Sequence, residues 1–248
     1  MRRAARARTA PYPLDLLGAQ TEAMIGSLLA RTLYNALPGH RIAAPVTHTV
    51  VRAEDPAFER PTKFVGQVYP HKLAGFLARR NGWHIPRDGA DWRRVVPSPA
   101  PERIVETDTV HELLGGGTPV VCAGGVGVPV TSAPDTGALT GVEAVVDRDL
   151  TAALLAEDLK ADFLLILTDV PNVYEGYGTP YQRPVLDATP DQLRGGGFPA
   201  GSMGPKAEAA ARFAERTGGP AAIGALDAAY EIVHGRSGTL VRPDLTTA

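Results

Sequence analysis

The sequence predicts an α/β protein: a three-layer αβα sandwich with a mainly parallel open sheet and a small protruding subdomain. Three observations lead to this prediction. From residue 105 onwards, helical patterns alternate with short apolar runs that are typical of strands. The chain is 44% hydrophobic and 21% charged, as ordinary globular domains are. Residues 52–101 instead contain much Pro and Arg, both tryptophans and few periodic apolar positions.

The first predicted elements are a long helix over residues 15–37 and a strand over residues 42–51. The helix is indicated by apolar side chains at helical spacing, namely Leu17, Met24, Ile25, Leu28, Leu29 and Leu33. Residues 52–101 are predicted to leave the main sheet as the subdomain, with one helix near 71–80. Residues 1–10 contain four arginines and no acidic residue, and we interpret them as a disordered or misassigned start before a domain of residues 11–248.

The rest of the chain is predicted to alternate between helix and strand four times. The predicted helix and strand pairs are 107–114 with 119–123, 149–160 with 163–168, 205–217 with 221–223, and 226–232 with 238–241. Ligands of open α/β sheets bind beyond the carboxyl ends of the strands, so the loops there are the candidate functional segments.

Charge and cysteine content exclude some classes of protein. The formal net charge of −2 predicts no special affinity for nucleic acid or membranes. Cys122 is the single cysteine, which rules out an intrachain disulfide and fits the reducing cytoplasm. No apolar stretch approaches the roughly 18 residues that a membrane helix needs. We therefore expect a cytoplasmic protein that binds neither nucleic acid nor membranes. We also expect a buried, inert thiol at Cys122.

A glycine-rich turn leads Lys206 into a helix. In residues 198–206, Phe-Pro-Ala-Gly-Ser-Met-Gly-Pro-Lys, the lysine falls near the helix start, where free backbone N–H groups favour an anion. A lysine at this position suits a phosphate group. A surface lysine on an ordinary loop is the alternative.

Three further loops carry candidate residues. Gly124, Gly125 and Gly127 would let backbone N–H groups approach a phosphate or carboxylate, or would simply form a tight turn. Asp147 and Asp149 begin a predicted helix and either could cap it, with Asp147 the better candidate for the cap. Thr168, Asp169 and Tyr174 follow an apolar strand and suit a nucleotide, or form an Asx-type turn with a core tyrosine. No Walker A pattern is present, and the six histidines show no metal-ligand spacing.

Eight segments, in order along the chain, resemble motifs of the carbamate kinases, which are members of the amino-acid kinase superfamily. They are residues 13–20 (PLDLLGAQ), 55–58 (DPAF), 61–63 (PTK), 93–99 (RRVVPSP), 124–130 (GGVGVPV), 141–149 (GVEAVVDRD), 166–170 (ILTDV) and 198–206 (FPAGSMGPK). The resemblance implies the reaction ATP + carbamate ⇌ ADP + carbamoyl phosphate in arginine catabolism. It also implies a homodimer and Mg²⁺ bound together with the nucleotide, mainly through phosphates and water, with no metal site built from protein residues alone.

The resemblance also implies roles for individual residues. Lys63, Arg148 and Lys206 would supply positive charge along the path of the phosphoryl group, and Asp149 would orient the lysines. Gly124, Gly125 and Gly127 would bind the carbamoyl moiety and its phosphoryl group. The nucleotide site would consist of Thr168, Asp169, Tyr174, Met203, Pro205 and Lys206.

Besides Phe64, which follows Lys63 where the family commonly has proline, the chain departs from the family pattern at three points. Val126 stands where the family has a glycine, and Arg148 stands where it has a lysine. The Gly-Gly-Asn turn and the Gly-Asn-Gly-Pro-Gln loop that precede the first helix in the family are not in this sequence, so we expect uncovered apolar helix faces. Two other interpretations remain open: an N-terminally truncated, non-catalytic homologue that binds nucleotide or dimerises, and a superfamily kinase acting on an amino-acid carboxylate or on UMP.

Overall fold

The computed structural model describes residues 11–122, 127–199 and 201–244, and they form an α/β fold. Its helices are α1 (Leu14–Ala36), α2 (His71–Asn81), α3 (Thr107–Gly115), α4 (Arg148–Asp158), α5 (Pro190–Gly195), α6 (Met203–Thr217) and α7 (Ala229–Val233). Each helix predicted from periodicity is present, with bounds shifted by two or three residues at most. The predicted start at residues 1–10 lies outside the described residues.

Short strands connect these helices. They are β1 (His48–Val50), β2 (Lys63–Tyr69), β3 (Arg87–Asp88), β4 (Asp91–Val96), β5 (Arg103–Ile104), β6 (Val128–Ser132), β7 (Leu139–Gly141), β8 (Leu164–Thr168), β9 (Val173–Glu175), β10 (Arg183–Val185), β11 (Asp187–Ala188), β12 (Ala221–Ala225) and β13 (Thr239–Val241).

Two four-stranded sheets make up the body of the fold, in the orders β5-β1-β6-β7 and β11-β13-β12-β8. Each sheet is mixed. In the first sheet, β1 and β6 pair in parallel, whereas the outer strands β5 and β7 pair antiparallel with their neighbours. In the second sheet, β12 pairs in parallel with β8 and β13 pairs in parallel with β11, whereas β12 and β13 pair antiparallel. The α/β class is therefore confirmed, with more antiparallel pairing than the alternation of helix and strand indicates. The antiparallel β12–β13 pair arises because α7 returns the chain beside β12.

A third sheet, the small sheet, has the order β2-β4-β3 and shares no strand pairing with the other two. Helix α2 follows β2 and packs against β4, so this sheet and helix form one local unit within residues 63–96. The division of the chain into a domain and a subdomain at residues 52–101 stays a prediction.

The main core lies around α6, which is rich in alanine. Ala209, Ala210, Ala211, Phe213 and Ala214 are fully buried, and the small alanine side chains let α6 approach α4 and the β8–β12 pair closely. Gly218 ends the helix in the left-handed conformation that glycine adopts without strain. The helix that carries Lys206 is thus held rigidly by its buried face.

Helix α1 exposes most of the apolar face that predicted it. Leu17, Met24, Leu28 and Leu29 are 39–59% exposed. The side toward the fold carries Gly26 and the buried Glu22, whose carboxylate accepts hydrogen bonds from the Thr47 N–H at 3.1 Å and hydroxyl at 2.6 Å. The helix is therefore hydrogen-bonded to the chain entering β1, and most of its apolar side chains are exposed in the described part of the chain. None of the helices in the described ranges combines the length and apolarity needed to cross a membrane.

The structure differs from the sequence prediction around residues 119–132. The predicted strand 119–123 is reduced, in its described residues, to an isolated bridge between Val120 and Ala43. The regular strand here is β6, which follows the glycines and contains Pro129. The Pro129 carbonyl accepts the Val142 N–H at 3.1 Å, but proline has no N–H with which to return that hydrogen bond.

Candidate active site

A cavity of about 1180 Å³ lies between the small sheet and the body of the fold. One side is formed by residues of β2 and β4, and the other by the starts of α4 and α6 and the loop that follows β8. The lining includes Lys63, Phe64, Arg93, Asp147, Arg148, Asp149, Thr168, Asp169, Tyr174, Tyr177, Met203, Pro205 and Lys206. Segments predicted separately from sequence therefore face a single space.

The start of α4 is fixed by Asp147. Its Oδ1 accepts hydrogen bonds from the backbone N–H groups of Asp149 at 2.9 Å and Leu150 at 3.4 Å, which makes it the N-cap, as predicted. Burial alone would raise the pKa of Asp147, but the hydrogen bond and charge of Lys63 and the two backbone N–H groups outweigh it and lower the pKa. Asp147 is therefore an anion at neutral pH.

Lys206 and Asp149 face each other across the starts of α6 and α4. The Lys206 Nζ donates to Asp149 Oδ2 at 2.9 Å, with the side chains only 17% and 12% exposed. Toward the other ends of the same helices, Glu157 accepts from Arg212 at 2.7 Å and pairs with Arg216. The two helices are thus linked along their length, which holds the lysine and the aspartate in register.

The turn before α6 approaches itself closely. The Gly204 N–H donates to the Pro199 carbonyl at 2.9 Å, and a side-chain carbon at Gly204 would lie 2.9 Å from that oxygen. Only glycine leaves this contact undisturbed, so the turn needs Gly204 in order to deliver Lys206 to the cavity.

Lys63 enters the cavity from the small sheet. It is the first residue of β2, and its Nζ donates to Asp147 Oδ2 at 2.9 Å. Asp149 thus holds Lys206, whereas Lys63 is held by Asp147. Arg148 lies between the two aspartates, is exposed, and has no ion pair or side-chain hydrogen bond with any described residue. With Arg93 of β4, four cations therefore line the cavity.

Of the glycine loop, Gly127 is described, whereas Gly124, Gly125 and Val126 lie outside the described residues. Gly127 has a φ of +70°, and a side-chain carbon there would lie 2.2 Å from Thr49 Oγ1. Its neighbour Val128 begins β6 by donating its N–H to the Thr47 carbonyl at 2.7 Å. Gly127 is therefore pressed against β1, and its position requires glycine.

The predicted nucleotide residues all line the cavity. Thr168 ends β8 and donates its hydroxyl to Asp169 at 3.1 Å, while Tyr174 lies on the adjacent β9. Met203 and Pro205 belong to the first turn of α6. These residues give the cavity one polar and one partly apolar side.

Sequence reasoning missed Tyr177 and Arg93 as lining residues and the contact of Asp147 with Lys63. The Tyr177 ring lies 6.0 Å from that of Tyr174, in the β9–β10 loop. The spacing Tyr-x-x-Tyr was visible in the sequence. Arg93 lies on β4, donates to the Gly66 carbonyl at 3.0 Å, and faces the cavity together with Lys63. No local signal indicated its orientation.

The partly buried Cys122 leads to a pH prediction. Burial, followed by the carboxylate of Glu22, raises the pKa of the Cys122 thiol from its ordinary value of 9.0 to about 11. Because the thiolate is the nucleophile, alkylation of the folded chain at pH 8 is expected to be slower than that of a free thiol by roughly 10²-fold. Folding favours the protonated thiol, so this contribution to stability is complete below pH 9.0 and declines as the pH rises toward 11.

Mass spectrometry of iodoacetamide-treated protein at pH 8, with and without urea, measures this difference. Equal alkylation rates in the folded and unfolded chain would show that the thiol is not buried and that its pKa is not raised.

Comparison with known proteins agrees with the cavity's chemistry. The sequence model of the amino acid kinase family matches residues 8–225. The carbamate kinase of Rhizobium meliloti is 47% identical over 232 residues, which cover 93% of this chain and 72% of that protein. The chain belongs to the carbamate kinases of the amino acid kinase family. The Haemophilus influenzae carbamate kinase is 46% identical over 231 residues, covering 93% and 74% of the two chains.

Solved structures place the fold in the same family. Carbamate kinase from Giardia lamblia bound to AMP-PNP matches with a TM-score of 0.85 and 35% identity, over 97% of this chain and 79% of that one. An Aeropyrum pernix K1 protein matches with a TM-score of 0.89 and 42% identity, over 97% and 80% of the two chains. The carbamate kinase fold is therefore present in this chain, and the chain is a phosphotransferase of that family.

Proposed function

We propose that this chain catalyses the reversible reaction ATP + carbamate ⇌ ADP + carbamoyl phosphate, in the cytoplasm and in arginine catabolism. The observation that carries the proposal is the convergence of Lys63, Arg148 and Lys206 on one cavity, with both lysines held by aspartates of the same helix start. Phosphoryl transfer needs positive charge along the path of the moving group more than it needs covalent help.

The transfer step requires little rearrangement of the protein. A carbamate oxygen attacks the γ-phosphorus of ATP, the bond from that phosphorus to the β–γ bridging oxygen breaks, and ADP leaves with the electron pair. A lysine ammonium has three N–H donors. Lys63 and Lys206 each use one on an aspartate, which leaves two for oxygens of the transferred group. Arg148 contributes charge from the exposed edge.

The carbamoyl end of the site would be formed by Gly124, Gly125 and Gly127. The placement of Gly127 against Thr49 supports this assignment, because it fixes Gly127 next to β6. At the other end, Thr168 and Asp169 would bind the ribose or phosphates of ADP, and Tyr174, Met203 and Pro205 would border the base. Tyr177 extends that aromatic wall.

Mg²⁺ would accompany the nucleotide and neutralise part of the phosphate charge. The described residues contain no group of three His, Cys, Asp or Glu side chains able to hold a metal ion. We propose an ion bound mainly through phosphate oxygens and water. Asp169 is an exposed carboxylate that lines the same cavity.

We infer that the chain forms a homodimer through the outward face of α1. Six large apolar or aromatic side chains of this helix are exposed, namely Leu16, Leu17, Met24, Leu28, Leu29 and Tyr34. An apolar face of this size on a helix is typical of an interface.

The choice of acceptor tests the proposed reaction against other kinases of the family. The chain is incubated with Mg-ATP and one of three acceptors: carbamate (formed from ammonium bicarbonate), UMP or glutamate. The release of ADP is measured for each acceptor. We expect ADP with carbamate alone. ADP release with UMP or glutamate and none with carbamate would assign the chain to a different substrate class.

A non-catalytic role is the second candidate function. Arg148 favours it, because the planar guanidinium is bulkier than an ammonium at a tight phosphate site. Such a protein would bind ADP without forming ATP. We expect Arg148 to reduce turnover more than binding, since it keeps the positive charge but presents a bulkier, planar group to the phosphoryl group.

A further inference from the structure

The segment before α4 holds the small sheet against the body at three points. Glu143 accepts from the Arg94 guanidinium at 2.9 Å, and the Val145 N–H donates to the Pro97 carbonyl at 3.0 Å. The third point is the contact of Asp147 with Lys63 at 2.9 Å. Arg94 and Lys63 lie on the paired strands β4 and β2, so one short segment fixes both strands.

Asp147 differs from the other two contacts because its two oxygens have separate tasks. Oδ1 caps α4 through the N–H groups of Asp149 and Leu150, while Oδ2 receives the Lys63 ammonium. One carboxylate therefore connects the lysine of the small sheet to the helix start that carries Asp149. Asp149 in turn holds Lys206. The two lysines, far apart in sequence, are positioned relative to each other through this helix start.

The pair is sheltered enough to act as a geometric constraint. The Asp147 side chain is 16% exposed and that of Lys63 is 31% exposed. A charged hydrogen bond in such a place is stronger and less mobile than a surface ion pair. It also leaves the lysine with free donors toward the cavity.

We propose that Asp147 is a positioning residue for phosphoryl transfer, which holds the Lys63 ammonium in the cavity with one carboxylate oxygen while the other caps α4. The proposal rests on the proposed function for its rate effects. Without this contact, Lys63 would spread over many rotamers at the mouth of the cavity. Small misplacement of a group that stabilises the transition state lowers the rate by up to about 10²-fold.

Asp147→Asn separates the two tasks of this side chain. Asparagine is as good an N-cap as aspartate, but it has a single acceptor oxygen and no charge. It can therefore cap α4 or hold Lys63, and not both. We expect an unchanged thermal unfolding midpoint within a few degrees, and a kcat for ATP formation that falls about tenfold or more, with a smaller change in KM for ADP.

A double-mutant cycle with Lys63→Met tests whether Asp147 acts through the lysine. If it does, Asp147→Asn changes kcat less than twofold when Lys63 is already replaced. An equal loss in both backgrounds would overturn the proposal, because it would show an effect on α4 alone. An unchanged kcat for Asp147→Asn in the unaltered background would overturn it as well.

Glu143→Gln is the matched control. It weakens another contact of the same segment with the same sheet, on an exposed side chain outside the cavity, while Arg94 keeps its position over the Trp83 ring at 4.3 Å. We expect its kcat to stay within twofold of the unaltered chain. A loss as large as that of Asp147→Asn would mean that docking of the sheet matters and that Lys63 is not held specifically.

Binding distinguishes failure of this proposal from failure of the proposed function. If the chain forms no ATP, the dissociation constant for carbamoyl phosphate is measured instead of kcat. Calorimetric titration gives this constant for the unaltered chain, the two single variants and the double variant. Coupling between Asp147 and Lys63 in the dissociation constant would support the positioning role without turnover. Independent effects, or no binding by the unaltered chain, would overturn it.

Discussion

Replacing Lys206 by methionine is expected to lower kcat for ATP formation by about 10²–10³-fold, while the chain remains folded. Methionine keeps most of the length of the side chain and removes its charge. The loss follows because a preorganised cation acting on the moving phosphoryl group contributes this much in a sheltered site. Lys206 is 17% exposed and fixed by Asp149, so it is preorganised.

The fold is expected to survive this change. Asp149 loses its partner at 12% side-chain exposure, which costs about 1–3 kcal/mol of the free energy of unfolding. The free energy of unfolding of such domains is roughly 5–15 kcal/mol, so this loss does not unfold the chain. Circular dichroism and a urea titration check folding, and the rate comes from a coupled ATP assay.

Lys72→Met is the control for the loss of a lysine. Lys72 is exposed in the first turn of α2 and does not line the cavity. It should leave kcat unchanged. A Lys206→Met variant that retains more than a third of the kcat would remove Lys206 from the mechanism.

Replacing Gly127 by alanine is expected to have the second largest effect, on both stability and substrate affinity. The left-handed φ of +70° costs alanine about 1–2 kcal/mol. The new methyl carbon would also lie 2.2 Å from Thr49 Oγ1, and Thr49 is fully buried in β1. Relief of that overlap costs a further ~1–3 kcal/mol and shifts the loop.

Gly137→Ala separates these two causes. Gly137 has almost the same φ, +69°, but an added carbon there meets nothing within 4 Å. Urea denaturation should therefore give a larger loss for Gly127→Ala than for Gly137→Ala, and only the former should weaken carbamoyl phosphate binding. Equal losses of stability would show that the contact with Thr49 is not limiting.

The helices of the site were predictable because their signals are local. The alanine-rich pattern of α6 and the aspartate cap of α4 fix where Lys206 and Asp149 begin their helices. The α/β class followed from the same periodicity. The resemblance to carbamate kinases then brought Lys63 into the same site, which composition and spacing alone did not.

The contacts across the cavity were less predictable, because they depend on tertiary packing. Lys63 and Asp147 are 84 positions apart, and nothing in either segment indicates the other. The strand β6 was also missed, because Pro129 and the glycines before it are typical of a loop. Its pairing with β1 overrides that local preference.

The outward face of α1 shows a different limit. Its apolar residues predicted the helix correctly, but not which side would be covered. Glu22 instead faces inward, where its carboxylate accepts two hydrogen bonds from Thr47. Periodicity alone identified the element, but it did not indicate Glu22 as the residue on its buried side.

The most direct test of the central claim is ATP formation from Mg-ADP and carbamoyl phosphate by this 248-residue chain, purified and shown to be folded. We predict steady turnover that is lost in Lys206→Met. A folded chain that binds ADP yet forms no ATP would contradict the catalytic assignment and favour a non-catalytic nucleotide-binding protein.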